Sequence, residues 1–298
     1  MINKSLITIG ITCYNCEKTI RKTIASAINQ DWKNKEIILI EDFSNDKSKK
    51  IIKELKIKYP KLKVKFNNKN YGYAYCLNLI IKQAKGKFVA FFDGDDVSKT
   101  TRITKQYNKY LKYQSKNPKS KIFVYSNRNV FHGNKLKFSR YGIGRNEPEP
   151  HGKIVADYIL NIKDKSDKFC WGMFGSCTLF TKTNNLKNLK GLDVKFSRSA
   201  ELDLAVRAAK KGFHFISSNE KLIKQNLTFG THKTIEKDFQ ARIQLIEKHQ
   251  KYIKKKGLYF YAKMNFYAWY WYCKKVNLMG HFFNLISKCI LIFSKLKY

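Results

Sequence analysis

Nowhere in this chain of 298 residues is there an uncharged apolar run of eighteen, so no segment is expected to cross a bilayer as a helix. Acids are scarce: 22 Asp and Glu stand against 60 Lys and Arg, a formal charge of +38. Such a surface attracts anions of several kinds, nucleotide phosphates, nucleic acid or acidic lipid headgroups among them. Lys, Asn, Ile, Phe and Tyr are abundant together, the composition of an AT-rich coding sequence. The cysteines lack the even number and regular spacing of a disulfide framework: seven lie at 13, 16, 76, 170, 177, 273 and 289. A reducing cytoplasm is the expected compartment. Cys13 and Cys16 form a CxxC with no second one to complete a zinc site, so the pair reads as small residues flanking a loop or as a redox pair. No secretory leader is read at the start, since Met1 to Ser5 leads straight into a strand.

What is present is a core: 43% of residues are hydrophobic, and the length suits one large domain or a domain with an appendage. The most informative stretch is Lys87 to Asp96. Its apolar run from Phe88 to Phe92 reads as a strand buried on both faces, and it stops in Asp93, Asp95 and Asp96 around Gly94. Carboxylates at a strand end lie at the rim of a sheet, where open α/β folds bind ligands. Oxygen ligands of this kind suit Mg²⁺ or Mn²⁺, which share their coordination with substrate phosphate; a solvated acidic turn is the plain alternative. Ahead of it come strands at Leu6–Thr12, Glu36–Ile40 and Val64–Phe66. Helical spacings alternate with them over Glu17–Gln30, from Ile51, and over Ala74–Ala84. This alternation predicts an α/β sheet, largely parallel. Tyr14-Asn15, Asp42 and Asp93 should share one edge of it.

The second half is less regular. A helix is expected over Thr100–Tyr113, strands at Phe123–Tyr125, Gly175–Thr181 and Phe213–Ser217, and a helix over Ser199–Gly212. Residues 132–168 read as a long surface loop with a short helix near Ile154–Ile162. From Thr234 onward thirteen basic residues stand against three acidic ones, net +10, and aromatics crowd Tyr259 to Tyr272. Two or three packed helices are expected there.

Five landmarks in order resemble glycosyltransferase family 2, the inverting GT-A type that builds bacterial surface glycans. Thr12-Cys13-Tyr14-Asn15 is similar to its Pro-x-Tyr-Asn start, with Thr12 in place of proline. Glu41-Asp42-Phe43-Ser44-Asn45-Asp46 resembles the Asp-Asp-Gly-Ser-x-Asp turn. Asn70-Tyr71-Gly72 to Asn78 resembles the Asn-x-Gly to Arg-Asn helix, with Leu77 in place of arginine. Asp93-Gly94-Asp95-Asp96 resembles the metal-binding acidic motif. Ala200-Glu201-Leu202-Asp203-Leu204 looks like the Glu-Asp-x-Asp-Leu segment, with Glu201 where the family has its catalytic aspartate. The resemblance covers residues 5 to about 232.

The resemblance implies a GT-A fold, a mostly parallel central sheet flanked by helices. Its catalytic domain would span 1–233, split into nucleotide-binding (1–98) and acceptor-binding (99–233) halves, with a basic, aromatic helical appendage at 234–298. It implies a nucleotide pocket of Thr12, Tyr14, Asn15, Asp42, Asn78, Asp93 and Gly94. Tyr14 can stack on a base and Asp42 can accept from its imino group, which favours uracil; a core aromatic and a helix cap are the competing readings. Asp95 and His232 would hold the Mn²⁺ or Mg²⁺ that neutralises the departing diphosphate, and Asp96 would cap the next helix or hold the loop. Lys69 or Lys99 could supply the cation missing at Leu77. Glu201, at a helix N-terminus that favours its ionised form, would be the base that deprotonates the acceptor hydroxyl. Asp203 lies about 200° around the helix from it and reads as structural, paired with Arg207. Trp171 and Gly175 mark the acceptor side, as a sugar platform or as core.

The expected activity is metal-dependent, inverting transfer of a hexosyl or N-acetylhexosaminyl group from a nucleoside diphosphate donor, a UDP-sugar by preference. The acceptor would be a hydroxyl of lipopolysaccharide, capsule or a lipid-linked oligosaccharide. The C-terminal Lys and aromatic residues suit an anionic membrane surface, placing the protein in the cytoplasm or on the inner face of the membrane; packing on the catalytic domain is the alternative, and no nucleic-acid partner is expected. Two other readings stay open. A sugar nucleotidyltransferase would carry an early Gly-rich loop that residues 10–25 lack. A non-catalytic member of the fold is compatible with the departures at Thr12, Leu77 and Ala200.

Overall fold

The structure, a computed structural model, describes residues 5–162, 167–227 and 234–296. Its first part alternates as the sequence predicts. Strands β1 (Ile7–Cys13), β2 (Lys35–Glu41), β3 (Leu62–Phe66) and β4 (Phe88–Asp93) are separated by helices α1 (Ile20–Ile28), α2 (Ser48–Lys58) and α3 (Tyr73–Gln83). These four strands are parallel, in the order β3-β2-β1-β4. Alternate residues of β4 enter opposite cores: Val89 and Phe91 face α3, while Phe88, Ala90 and Phe92 join Ile20 and Ile24 of α1. A continuous apolar run is what burial on both faces requires.

The sheet continues as a mixed one. After the short β5 (Val97–Ser98) and helix α4 (Arg102–Lys116) come β6 (Ile122–His132), β7 (Lys135–Arg140) and α5 (Lys153–Ile159). A single 3-10 turn (Ser176–Thr178) then leads to β8 (Phe180–Lys182), α6 (Thr183–Asn188), α7 (Ala200–Lys210) and β9 (His214–Asn226). The full order is β3-β2-β1-β4-β8-β6-β9-β5, with β7 on β6. β8 runs antiparallel to both β4 and β6, and β6 runs parallel to β9.

Several expectations for this half are corrected. The strands expected at Phe123–Tyr125 and Phe213–Ser217 are the starts of the longer β6 and β9. Residues 175–181 are a tight turn entering a three-residue strand. The loop expected over 132–168 opens with the β6–β7 hairpin, turning at Gly133-Asn134. Four C-terminal helices follow, more than the two or three expected: α8 (Ile235–Lys248), α9 (Gln250–Lys254), α10 (Tyr259–Cys273) and α11 (Asn277–Leu296).

These helices share the core on the α3–α7 face of the sheet: Leu245, Ile246, Ile253, Ala262 and Phe266 belong to one cluster with Leu204 and Ala205 of α7. Within the aromatic run of α10, Tyr261 and Phe266 are buried, Phe260 and Tyr272 are exposed and the others are half-buried. Tyr267 and Tyr270 meet Phe239, and the Arg242 guanidinium lies over the Trp269 ring, 4.5 Å from its centroid. The seven cysteines are free; Cys13 is buried and Cys16 partly so.

Candidate active site

Register brings the strand ends flush. Thr12 on β1 is the cross-strand partner of Asp93 on β4, and Cys13 is the partner of Glu41 on β2, with Asp42 next in sequence. A cavity of about 560 Å³ opens over this edge, lined by Thr12, Tyr14, Asp42, Tyr71, Tyr73, Asp93, Gly94 and Asp95 from the strand ends and α3, and by Val194, Lys195, Phe196 and Ser197 from the segment before α7. Tyr14, 41% exposed, is part of this lining. Gly94 is required: its N–H donates to Thr12 O at 2.8 Å, and a Cβ there would lie 2.6 Å from that oxygen.

Asp42 is buried and its carboxylate is largely committed. Oδ1 accepts from Asn67 Nδ2 (2.7 Å) and Tyr71 N (3.0 Å), and Oδ2 from Gly72 N (2.8 Å). It therefore ties the end of β2 to the start of α3, leaving about one acceptor direction free. The first N–H of α2, that of Ser48, donates instead to Asp46 Oδ1 at 2.9 Å.

The acids after β4 are held in a strained electrostatic state. Asp93 accepts from the Tyr73 hydroxyl at 2.7 Å, and that hydroxyl also meets Ser176 Oγ at 2.8 Å. Burial, then the charge of Asp95, pushes the Asp93 carboxyl up to about 6. Asp96 is pushed up by the same causes, burial and its acidic neighbours; its Oδ1 accepts from Asn226 N at 3.2 Å, while its buried Oδ2 has no partner. Asp93, Asp96 and the Cys177 sulfur offer ligand atoms within 4.8 Å of one another. Crowded carboxylates with an orphaned oxygen fit a divalent cation, which would relieve their repulsion. Hard ions favour oxygen over the thiol; of the three acids, Asp93 and Asp95 line the cavity and Asp96 does not.

A model for "Glycosyl transferase family 2" matches residues 8–177. The chain belongs to that family. Over 101 residues it is 43% identical to the Escherichia coli UDP-Glc:alpha-D-GlcNAc-diphosphoundecaprenol beta-1,3-glucosyltransferase WfaP, a match spanning 34% of this chain and only 39% of that protein. It is 30% identical over 232 residues to the Bacillus subtilis (strain 168) putative glycosyltransferase EpsE, covering 74% of this chain and 72% of the relative. The S. aureus TarS 1-349 structure in complex with UDP-GlcNAc superposes with a TM-score of 0.57 at 16% identity, over 89% of this chain and 80% of that one, and has the same fold.

In this family 2 chain the acid proposed as base, Glu201, sits half-buried in the first turn of α7. Burial raises its carboxyl above the ordinary range, against the lowering effects of its own backbone N–H, Arg128 and Arg198. Its charge is also felt at Asp93, although Glu201 is not among the residues that line the cavity. Arg198 reaches in turn to Asp238 of α8.

Arg128 has no counterpart in the sequence reading. It lies on β6 where the pairing with β9 shifts register twice, at Ser126/Asn127 and Asn127/Arg128, the kind of irregularity that re-aims a side chain. The guanidinium is buried, 3.1 Å from Cys177 Sγ, and its charge acts on Asp93, Asp96 and Glu201. Its signal was a lone cation inside the polar run Ser126–Asn129 of a strand that continues to His132. Gly175, expected on the acceptor side, makes room for it: a Cβ there would lie 2.3 Å from Arg128 Nη1. Lys195, which lines the cavity, was also missed.

Other expected residues do not line the cavity. Asn78 spends both ends of its amide on Leu192, donating to its O and accepting from its N, both at 2.8 Å. Asn15 Oδ1 accepts from Asn45 N at 2.9 Å and braces the loop. Trp171 stacks on Tyr158 with centroids 4.3 Å apart, as part of the core edge. Leu77 is fully buried, so its position cannot contact a diphosphate. Lys69 lies over the Tyr71 ring at the cavity wall, whereas Lys99 is not part of the lining. Asp203 is structural as expected, bonded to Arg207 (2.8 Å), Lys248 (2.7 Å) and His249 (3.0 Å). His232 lies outside the described residues.

Proposed function

We propose that this protein is an inverting glycosyltransferase that moves a sugar from a UDP-sugar to a hydroxyl of a growing, lipid-linked glycan at the inner face of the cell membrane. The observation that carries this reading is the flush edge of β2, β1 and β4, which sets Tyr14, Asp42, Asp93 and Asp95 around one cavity with Glu201 in electrostatic reach. The activity named for WfaP, with a UDP-glucose donor and a diphosphoundecaprenol-linked acceptor, supports the donor and acceptor classes.

Tyr14 stacks on the uracil and the remaining lone pair of Asp42 accepts from it. Asp93, steadied by Tyr73, faces the ribose. Asp93 and Asp95, with His232 as a third ligand, would hold Mn²⁺ or Mg²⁺. That ion, when bound, supplies Lewis-acid neutralisation of the leaving diphosphate. Lys195 adds a cation from the opposite wall. Glu201 takes the proton of the acceptor hydroxyl as its oxygen bonds to the anomeric carbon. The bond to the diphosphate breaks on the other side, and UDP leaves with the electron pair.

The reading is tested by thermal unfolding with UDP, GDP, CDP and ADP, each with and without Mn²⁺. Saturation at a hundred times the dissociation constant stabilises by about 2.7 kcal/mol. A shift with UDP that needs Mn²⁺ is expected; no shift with any nucleotide would sink the assignment. Glu201→Gln should keep the UDP shift and lower transfer by roughly 10²–10⁴-fold, the usual worth of a general base.

A further inference from the structure

Helix α11 carries apolar residues on two opposite faces, and only one of them is covered. The inner face packs on α10: Phe283 stacks on Tyr267 with centroids 5.2 Å apart, Ser287 is buried, and a Cβ at Gly280 would meet the Tyr272 ring at 2.5 Å. The outer face presents Leu278, Phe282, Leu285, Cys289 and Ile292. At 100° per residue these five fall within an arc of roughly 80°, centred opposite the Gly280–Phe283–Ser287 side. Leu278 is 81% exposed, Leu285 64%, Ile292 59% and Phe282 53%. A helix on a water-facing surface ordinarily puts polar residues there.

We propose that this outer face of α11 seats the protein on an anionic lipid bilayer, lying in the plane of the headgroups. This deepens the reading of the protein as an enzyme of a membrane surface. The charge around the face selects the partner. α11 contains no acidic residue, Lys274 and Lys275 stand exposed at the turn before it, Lys288 is exposed on it, and residues 234–298 carry a net +10. Lys side chains flanking an apolar stripe reach acidic headgroups while their methylenes lie along the acyl boundary. The 4-3-4-3 spacing of the stripe would also suit a helix pair between two copies. That arrangement would press two strongly positive surfaces together, whereas anionic lipid neutralises both the helix and its rim. Among the described residues no helix is long and apolar enough to cross a membrane, which leaves the surface-lying arrangement.

The test is co-sedimentation of the full chain with vesicles of phosphatidylcholine alone or mixed with phosphatidylglycerol, at physiological salt. The wild type should partition onto the mixed vesicles and only weakly onto the neutral ones. The triple variant Leu278→Gln, Phe282→Gln, Leu285→Gln should lose roughly tenfold or more of that partitioning, since three large apolar side chains no longer enter the bilayer. Helix content and the UDP thermal shift of this variant should stay at wild-type values, and the single Phe282→Gln variant should fall between. Undiminished vesicle binding by the triple variant would overturn the proposal, because overall charge would then suffice. A wild-type dimer that the variant converts to a monomer, with no vesicle binding by either, would also overturn it, because the face then pairs two copies. Vesicle binding without any UDP shift would count against the transferase reading and leave the anchor standing.

Discussion

Arg128 is a buried cation in the field of the acidic end of the sheet, where the buried Arg102 also acts on Asp93 and Asp96. Three carboxylates, Asp93, Asp96 and Glu201, feel Arg128, and all three are raised by burial. In its proposed role as base Glu201 must be ionised, so transfer should be lost as pH falls through its raised pKa. Removing the neighbouring cation in Arg128→Met should raise that pKa further and move the acid limb of the kcat profile upward by about one pH unit. A limb that stays in place would show that Arg128 does not act on the base. The roles at this scale divided by reach. The placement of Tyr14, Asp42 and Asp93 at one sheet edge was legible because a strand end fixes where the residues at and just beyond it lie. Asn15, Asn78 and Trp171 are residue types equally able to serve a ligand or a neighbour, and here neighbours from distant segments took them.

At the scale of elements, the segment between α6 and α7 forms one cavity wall and is held from both sides. Asn78 of α3 clamps Leu192 across 114 residues of sequence, and Arg207 of α7 donates to Gly191 O at 2.7 Å. Asn78→Ala should lower stability by about 1–3 kcal/mol through two unmade hydrogen bonds, and should raise KM for the donor as the Val194–Ser197 wall loosens. An unchanged KM with lowered stability would confine Asn78 to the fold. A second tie joins α7 to α8 and α9. Burial disfavours the Asp203 charge, but the His249 hydrogen bond, Arg207 and Lys248 outweigh it and hold the carboxyl far below the usual Asp range. A depressed folded pKa stabilises above the ordinary Asp value, and that contribution is lost as pH falls toward the depressed one. Asp203→Asn should therefore cost about 3 kcal/mol at neutral pH and flatten the acid side of the stability profile; denaturant midpoints across that range measure it. The α/β alternation of residues 7–93 was readable because its helices keep a helical spacing and its buried strands, such as Phe88–Phe92, are short apolar runs ended by polar residues; the two-residue β5 was not. The β6–β7 hairpin was hidden by charge-rich composition, although Gly133-Asn134 between the alternating residues of β6 and β7 is a turn signal.

For the molecule as a whole, the C-terminal helices complete the core. Leu245, Ile246, Ile253 and Phe266 cover α7 and its neighbours, so a chain ended at residue 233 would expose that apolar surface. Such a truncation should be insoluble or melt well below the full chain, as solubility and thermal unfolding would report. A soluble truncation with unchanged melting temperature would mean that the catalytic domain is self-sufficient.

Periodicity and strand-end chemistry are local properties, settled within some ten residues, and they already announced the α/β alternation, the acidic rim and the family. Which partner each side chain meets is not local. Arg128 reaches the acids only because irregular pairing with β9 turns it there. Tyr267 of α10 meets Phe239 and Phe283 because α8 and α11 lie on either side of it. The outer stripe of α11 is exposed because one helix cannot bury both of its apolar sides against a single neighbour.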